Sequence, residues 1–241
     1  NSINIANNKY ELMRISQKLG VPTPKFKIVK TNSELLNAFE EFGEKFVVKP
    51  PVSSGMRGFR IVSDKASLTK EAFYNQKPDN VTITKEELLK ILGEDFPPLL
   101  VMEFLPGKEY TVDVLSRKGK CYCIVPRSRD MIRSGITFAG TVVKRGDLIS
   151  YSSQLTENIG LEFAHGYQFK EDEMGVPKII ESNPRIQGTM VLATLANANL
   201  IYASIKIALG EKLPEFNVKW DTKLIRYWGA IGISDGKIEK V

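Results

Sequence analysis

The sequence predicts an α+β fold of two lobes with a cleft between them. Short helices and strands alternate as far as Gly93, strands dominate from Leu99 onward, and two paired strands near residue 180 lead into a long helical stretch. Each element has its own signal.

Residues 5–19, IANNKYELMRISQKL, place Ile5, Tyr10, Leu12, Met13, Ile15 and Leu19 at near-helical spacing, and Gly20 followed by VPTP ends that helix. KFKIV then reads as a strand, Ser33 to Phe42 as a helix entered through Asn32, KFVVKP as a short buried strand ending in Lys49, and FRIV, 59–62, as another strand. A helix is expected from Ala66. Another opens at Thr84, with Glu87 three residues on in the capping-box pattern, and runs through ELLKIL to Gly93. After Pro97-Pro98, LLVMEFL is an apolar strand, followed by the hairpin strands EYTVDVLS and KCYCIV with a turn at Arg117-Lys118-Gly119. Residues 154–160 form the end of a helix, AHGYQF and PKIIES are paired strands, and TMVLATLANANLIYASIKIALG is helical with a break near Asn197 to Asn199. That stretch reads as core, because its Asn and Thr positions and its break do not suit a membrane span. Hinges are expected near Pro22 to Pro24 and Pro97 to Gly107.

With 241 residues and 42% apolar content, the chain can bury a sizeable core. It contains no run of about eighteen apolar residues, and NSINIANNKYEL lacks the basic flank and apolar centre of a secretory signal. A soluble, cytoplasmic protein without membrane partners is expected. Cys121 and Cys123, two apart on one strand, are expected on the same side as reduced thiols, and two sulfurs fall short of a zinc site. The net charge of +6 is spread along the chain with no basic run, so a small polyanionic ligand explains it as well as nucleic acid does, and nucleic acid ranks last because no clustered basic and aromatic positions occur.

Four segments carry candidate chemistry. In PKIIESNPRIQG, Glu181, Asn183 and Arg185 fall at alternate positions after Ile179-Ile180, so on a strand they share a face. A carboxylate, an amide oxygen and a guanidinium there suit a hard cation and the phosphate oxygens it neutralises, although a solvated edge strand reads as well from these residues alone. Lys49 precedes Ser53, Ser54, Gly55 and Gly58, a small loop that can offer N–H groups to phosphates or be an ordinary hairpin turn. It is not a Walker A loop, since GxxxxGK[ST] is absent. In LLVMEFLPGKEYTVDV, the apolar run suits a flat heterocycle, the backbone of Phe104 and Leu105 an adenine edge, and Glu109 ribose hydroxyls; a buried strand leading to a surface turn is the alternative. In PRSRDMIRSG, Arg127, Arg129 and Arg133 lie beyond a strand near the cleft, either as acid-binding cations or as a basic surface loop. His165 reads as structural, and Gln187-Gly188-Thr189 opens a helix whose start can bind an anion.

In this order, Lys9, Lys49 with its Gly/Ser loop, the Glu103 to Glu109 hinge, and YQF and ESNPR on consecutive strands, the chain resembles the ATP-grasp superfamily over essentially its whole length. It is most similar to the carbamoyl-phosphate synthase large-subunit-like branch. The resemblance implies two α+β lobes holding ATP between antiparallel sheets, with 24–104 as the smaller lid lobe and 1–23 plus 105–241 as the larger catalytic lobe. It implies that Lys9 and Lys49 hold ATP phosphates, that Ser54 and Gly55 belong to the lid, and that Glu103, Phe104 and Leu105 form the adenine hinge. Glu109 is then the ribose acid, Gln168 and Glu181 the first metal site, Glu181 with Asn183 the second, and Arg185 the arginine beside the transferred phosphate. The cofactors implied are ATP and two Mg²⁺ or Mn²⁺ ions. The lid is less glycine-rich than in many members. The amino-terminal α/β domain that usually precedes this helix is missing, so a fragment of a longer protein is expected.

The implied activity is ligation of a carboxylic acid to an amine or similar nucleophile through an acyl phosphate, with release of ADP and phosphate. Phosphorylation of bicarbonate or carbamate, and a non-catalytic ATP-binding module, are the alternatives; full retention of Lys49, Glu181, Asn183 and Arg185 argues against the module. A homodimer is left open as the oligomeric state.

Overall fold

The computed structural model describes residues 2–64, 81–133, 135–227, 229, 231–234 and 237–240. Two short helices begin the chain, α1 (Ser2–Asn7) and α2 (Lys9–Lys18), the second capped by the Asn8 side chain accepting from the N–H groups of Tyr10 and Glu11. A five-stranded sheet follows. Its order is β1 (Phe26–Val29), β5 (Leu99–Glu103), β2 (Lys45–Lys49), β3 (Arg60–Ser63) and β4 (Thr82–Ile83), antiparallel except for the last pair.

The central strands of this sheet are apolar on both faces, because both faces are covered. Phe46, Val48, Leu99 and Val101 point to α3 (Asn32–Phe42) and α4 (Lys85–Leu92), which contribute Leu35, Phe39 and Leu88. Val47, Leu100 and Met102 point the other way, onto Met13 of α2 and Ile180. The predicted capping box is present at Thr84 and Glu87, and Gly93 ends α4 as expected. The α3 cap differs from expectation: Thr31, not Asn32, accepts from the Glu34 N–H, so Asn32 is the first helical residue. The helix expected from Ala66 lies outside the described residues.

A second, four-stranded sheet is antiparallel throughout, in the order β11 (Pro177–Asn183), β10 (Phe163–Glu171), β6 (Glu109–Arg117) and β7 (Lys120–Ser128). Arg117 pairs with Lys120, and Lys118 and Gly119 have φ of 48° and 72°, the pattern of a two-residue primed turn that suits strand twist. One face of this sheet carries Tyr110, Val112, Val114, Tyr167 and Phe169 against α5 (Gly146–Ile159) and Leu12 of α2. The opposite face changes character along its length. Leu115, Cys123, Val125 and Ala164 pack beneath α6 (Val191–Leu195) and α7 (Leu200–Ala208), the two halves of the predicted broken helix, while the other end is polar and faces the first sheet. A small sheet, β12 (Lys223–Ile225), β9 (Ile136–Thr141) and β8 (Met131–Arg133), flanks the polar end, and β13 (Ile231–Ser234) and β14 (Lys237–Lys240) form a hairpin.

The cysteines overturn a pattern-based expectation. The β6–β7 register shifts between Leu115 and Ser116, so Cys123 pairs with Leu115 but Cys121 with Ser116, its neighbour. Neighbouring partners face opposite sides, which sends Cys121 to the α5 core and Cys123 to the α6–α7 core. Both are free thiols, and burial pushes Cys123 up to about 12. Among the described residues, no helix is long and apolar enough to cross a membrane.

Candidate active site

A cleft of about 650 Å³ separates the two sheets, roofed by the underside of the first and floored by the polar end of the second. Strand register builds the floor. Glu181 on β11 lies opposite Gln168 on β10, Gln168 opposite Thr111 on β6, and Thr111 opposite Arg127 on β7, so one row crosses four strands from acid to arginine. The next row holds Asn183, Gly166 and Asp113.

Glu181 reaches this row through an irregularity that alternation alone does not reveal. The register shifts between Gln168 and Phe169, which pair with Glu181 and Ile179, leaving Ile180 as an extra residue in β11. Ile180 turns its side chain to the roof cluster and its carbonyl to Lys49, whose Nζ donates to it at 3.2 Å. The strand ends at Asn183, so Arg185 does not extend the shared face of Glu181 and Asn183 as its spacing suggested. Arg185 sits in the following turn, exposed, with Nη1 donating to the Ile186 carbonyl, and still lines the cleft.

Two lysines converge on Glu181. Lys9 lies at the start of α2; its N–H donates to the Pro51 carbonyl, its Nζ donates to the Ser53 carbonyl at 2.7 Å, and Nζ lies 3.9 Å from Glu181 Oε1. Lys49, at the end of β2, is 6% exposed. Burial pushes Lys49 down to about 8 and nearby Lys9 pushes the same way, opposed by the charges of Glu181 and Glu109. Burial also lowers Lys9, with Glu181 opposing. Two desolvated ammonium groups beside one carboxylate make a site that gains strongly from an added polyanion.

Lys9 thus pins the base of the loop holding Ser53, Ser54 and Gly55. Gly55, Met56 and Gly58 are left-handed, with φ of 62°, 60° and 72°, and a Cβ on Gly58 would come within 2.6 Å of Pro50. The glycine at 58 is therefore required by both backbone and space. Arg57 donates to the Ser54 hydroxyl.

At the other end, β5 stops at Glu103, so the peptides of Phe104 and Leu105 leave the ladder while both residues line the cleft. The Glu103 carboxylate is committed elsewhere: it accepts from Lys178 Nζ at 3.0 Å and from the Lys25 N–H at 2.9 Å. Only the backbone of this residue is available as a hinge group. Glu109, the first residue of β6, faces the cleft and is paired with the Arg129 guanidinium.

Arg127 is not on a surface loop. It belongs to β7, is 1% exposed, and donates through Nε and Nη2 to both oxygens of Asp113 at 2.7 and 3.1 Å. Nη2 also reaches Gln187 Oε1 at 3.4 Å, and Gln187, Gly188 and Thr189 complete this end of the cleft. Arg127 thus lines the cleft with its charge already balanced. Arg133 stacks on Phe138 instead of lining the cleft. His165 is buried against Thr156 and Tyr167 on the opposite face of the sheet and pushed down to about 4, in keeping with a structural role.

Alternation did contain some of what was missed. Thr111, between Glu109 and Asp113, shares their face by period two and sits in the Glu181–Gln168 row. The cleft wall formed by Ile132, Ile136 and Thr137 left no such trace, because it depends on β8 and β9 folding back over the floor. The metal candidates, Gln168, Glu181 and Asn183, offer one carboxylate and two amide oxygens. No group of three or more His, Cys, Asp or Glu positioned for a metal occurs among the described residues. That donor set fits Mg²⁺ held mainly by phosphate oxygens and water, and does not suit an ion bound by protein alone.

Known proteins share this fold. Residues 95–227 match the family described as ATP-grasp in the biosynthetic pathway with Ter operon. The carbamoyl phosphate synthase large chain of Clostridium acetobutylicum is 24% identical over 235 residues, 92% of this chain and 20% of its own length. The chain therefore spans about a fifth of that relative. Among solved structures, the biotin carboxylase domain of Hydrogenobacter thermophilus 2-oxoglutarate carboxylase, complexed with MgADP, ADP and bicarbonate, aligns at a TM-score of 0.68 with 21% identity, covering 92% of this chain and 49% of that one. N5-carboxyaminoimidazole synthetase of Staphylococcus aureus, complexed with ADP, aligns at 0.67 with 16% identity over 89% of this chain and 54% of that one. With the family match covering more than half of its length, the chain belongs to the ATP-grasp family.

Proposed function

We propose that the chain is the nucleotide-binding and catalytic part of an ATP-dependent ligase that activates a carboxylic acid as an acyl phosphate and couples it to an amine or similar nucleophile, releasing ADP and phosphate. The observation that carries this reading is the convergence of buried Lys9 and Lys49 on Glu181, at one end of a polar row leading to Arg127. A nucleotide-binding module alone has no need of that row.

In this reading, residues 24–104 form the lid lobe, and 1–23 with 105–241 the catalytic lobe. Adenine lies against Val47, Met102 and Ile180, with the backbone at Phe104 and Leu105 beside its edge. Glu109 accepts from the ribose, Lys9 and Lys49 hold the phosphates, and the Ser54-Gly55 loop closes over them. Gln168, Glu181 and Asn183 would hold two Mg²⁺ or Mn²⁺ ions, which when bound neutralise charge on the phosphate oxygens. Arg185 stabilises the phosphoryl group in flight, and Arg127, fixed by Asp113, helps to set the acid's end of the cleft. Catalysis then consists of alignment and electrostatic stabilisation, with no nucleophilic side chain.

The test is ADP release by the complete polypeptide with Mg-ATP across small acids, amino acids and amines. ADP formation that requires one acid and one nucleophile together supports the ligase. ADP formation that needs neither, or none with any pair while nucleotide binds, would remove it.

A further inference from the structure

Arg129 has no role in the scheme above, yet all three nitrogens of its guanidinium are engaged. Nη1 pairs with the Glu109 carboxylate, Nη2 donates to the Gly135 carbonyl at 2.6 Å, and Nε donates to Thr137 Oγ1 at 3.0 Å. Its backbone N–H donates to the Glu109 carbonyl at 2.9 Å, and its side chain is 6% exposed. Glu109 belongs to β6 on the cleft floor, whereas Gly135 and Thr137 belong to the turn and second strand of the β8–β9 hairpin, which forms a wall of the same cleft. One side chain therefore joins floor to wall.

The fork is well suited to this. A guanidinium fixes its partners in one plane, so a carboxylate held by one arm cannot turn without disturbing the other two bonds. Glu109 in turn needs its orientation fixed if it is to accept from a ligand hydroxyl, because a freely rotating carboxylate loses that freedom on binding. The wall leads on to the lid. A Cβ on Gly135, which has a φ of 75°, would lie 3.3 Å from Met56 Cγ and Sδ, so the side chain of the lid residue rests against the very peptide that Arg129 holds.

We infer that Arg129 is a positioning residue that presets the Glu109 carboxylate for the ribose hydroxyls and, through the same fork, holds the β8–β9 hairpin where the lid meets it. This rests on the reading of Glu109 as the ribose acid. Arg129 touches neither ribose nor phosphate itself; it acts through Glu109 and through Gly135.

The experiment is a cycle between Arg129 and the ribose hydroxyls in the complete polypeptide. Binding of Mg-ATP and of Mg-2′,3′-dideoxy-ATP is measured by titration calorimetry in the wild type, Arg129→Met, Arg129→Lys and Glu109→Ala. Hydrogen exchange is followed over residues 131–137. Arg129→Met is expected to weaken ATP by about tenfold and dideoxy-ATP by less than about twofold, the size of one well-placed charge-assisted hydrogen bond. Exchange in the hairpin should quicken in the same variant. Arg129→Lys keeps the charge but not the fork, so it should show the same ribose-dependent loss in weaker form, and it carries the test if the Met variant does not fold.

Equal losses for the two nucleotides in the Arg129 variants, or unchanged exchange in the hairpin, overturn the inference. If Glu109→Ala discriminates between the nucleotides and the Arg129 variants do not, Arg129 fails while the ribose reading stands. If Glu109→Ala does not discriminate either, the ribose reading itself falls, and the role of Arg129 with it.

Discussion

The amide of Gln187 lies directly over Gly166: a Cβ built at that glycine would fall 2.0 Å from Gln187 Nε2 and 2.9 Å from the Val112 carbonyl. The glycine between His165 and Tyr167 is therefore a space left in the cleft floor for a side chain arriving from the loop after β11. The same amide receives Arg127 through its oxygen, so Gly166, Gln187, Arg127 and Asp113 form one packed group.

Gly166→Ala should displace that amide. Overpacking of this kind costs about 1–3 kcal/mol, and loss of the Gln187 contact should reduce ADP formation by at least about tenfold. Urea unfolding and the ADP assay check the two parts separately, and an unchanged rate would show that the position of Gln187 is irrelevant to turnover.

Asp113 and Arg127 are both essentially buried, so removing one leaves the other charged and unpaired. Asp113→Ala should cost about 3–5 kcal/mol, while the double change Asp113→Leu with Arg127→Met should recover most of the loss. Activity should remain absent in both. Chemical denaturation of the three proteins decides it; a double variant that is as active as the wild type would reduce the pair to a purely structural device.

Lys49 should weaken the fold it serves. Its value is pushed from an ordinary lysine value of 10.5 down to about 8, so between those pH values the unfolded chain binds the extra proton. Stability should therefore rise with pH from about 8 to 10.5, and the penalty, about 3 kcal/mol, is fully present below pH 8. Lys49→Met should abolish this part of the pH dependence, raise stability at pH 7, and weaken ATP binding. In the wild type, affinity for Mg-ATP should drop on the order of tenfold between pH 7.5 and 9.5, as the free lysine loses the proton that the phosphates require. Paired denaturation and binding measurements over that range would expose either error.

Glu181→Gln keeps the shape of the side chain and removes its charge. Nucleotide should still bind, but the gain in affinity that Mg²⁺ confers should largely disappear, and ADP formation with it. Titrating ATP with Mg²⁺ and with EDTA, in wild type and variant, measures that difference. An equal response to Mg²⁺ in both would place the metal elsewhere.

Much of this site was legible in the sequence because it depends on short-range rules. Lys49 ends an apolar run that can only be a strand, and Thr84 with Glu87 marks a helix start by chemistry alone. Glu181 and Asn183 do face the cleft from one strand. What could not be read is set by register. The extra residue at Ile180, the shift that parts Cys121 from Cys123, and the end of β11 before Arg185 each depend on which residues of a partner strand lie opposite. The burial of Arg127 was hidden for a related reason, since Asp113 looked like one more polar residue of a hairpin until the pairing of β6 and β7 set it two residues along from Thr111, the partner of Arg127.

Leu12 and Met13 are consecutive in α2, yet Leu12 is packed in the core under the second sheet and Met13 in the cluster beneath the first. Pulling the sheets apart would strip one of them of its neighbours, at a cost of about 1.5–3 kcal/mol for a side chain of that size. The helix thus acts as an axle shared by both halves, with Lys9 at its leading end tied to the Ser53 carbonyl at the base of the loop 53–58. Opening and closing of the cleft should therefore fall to that loop and the wall it meets, while the two sheets keep their separation.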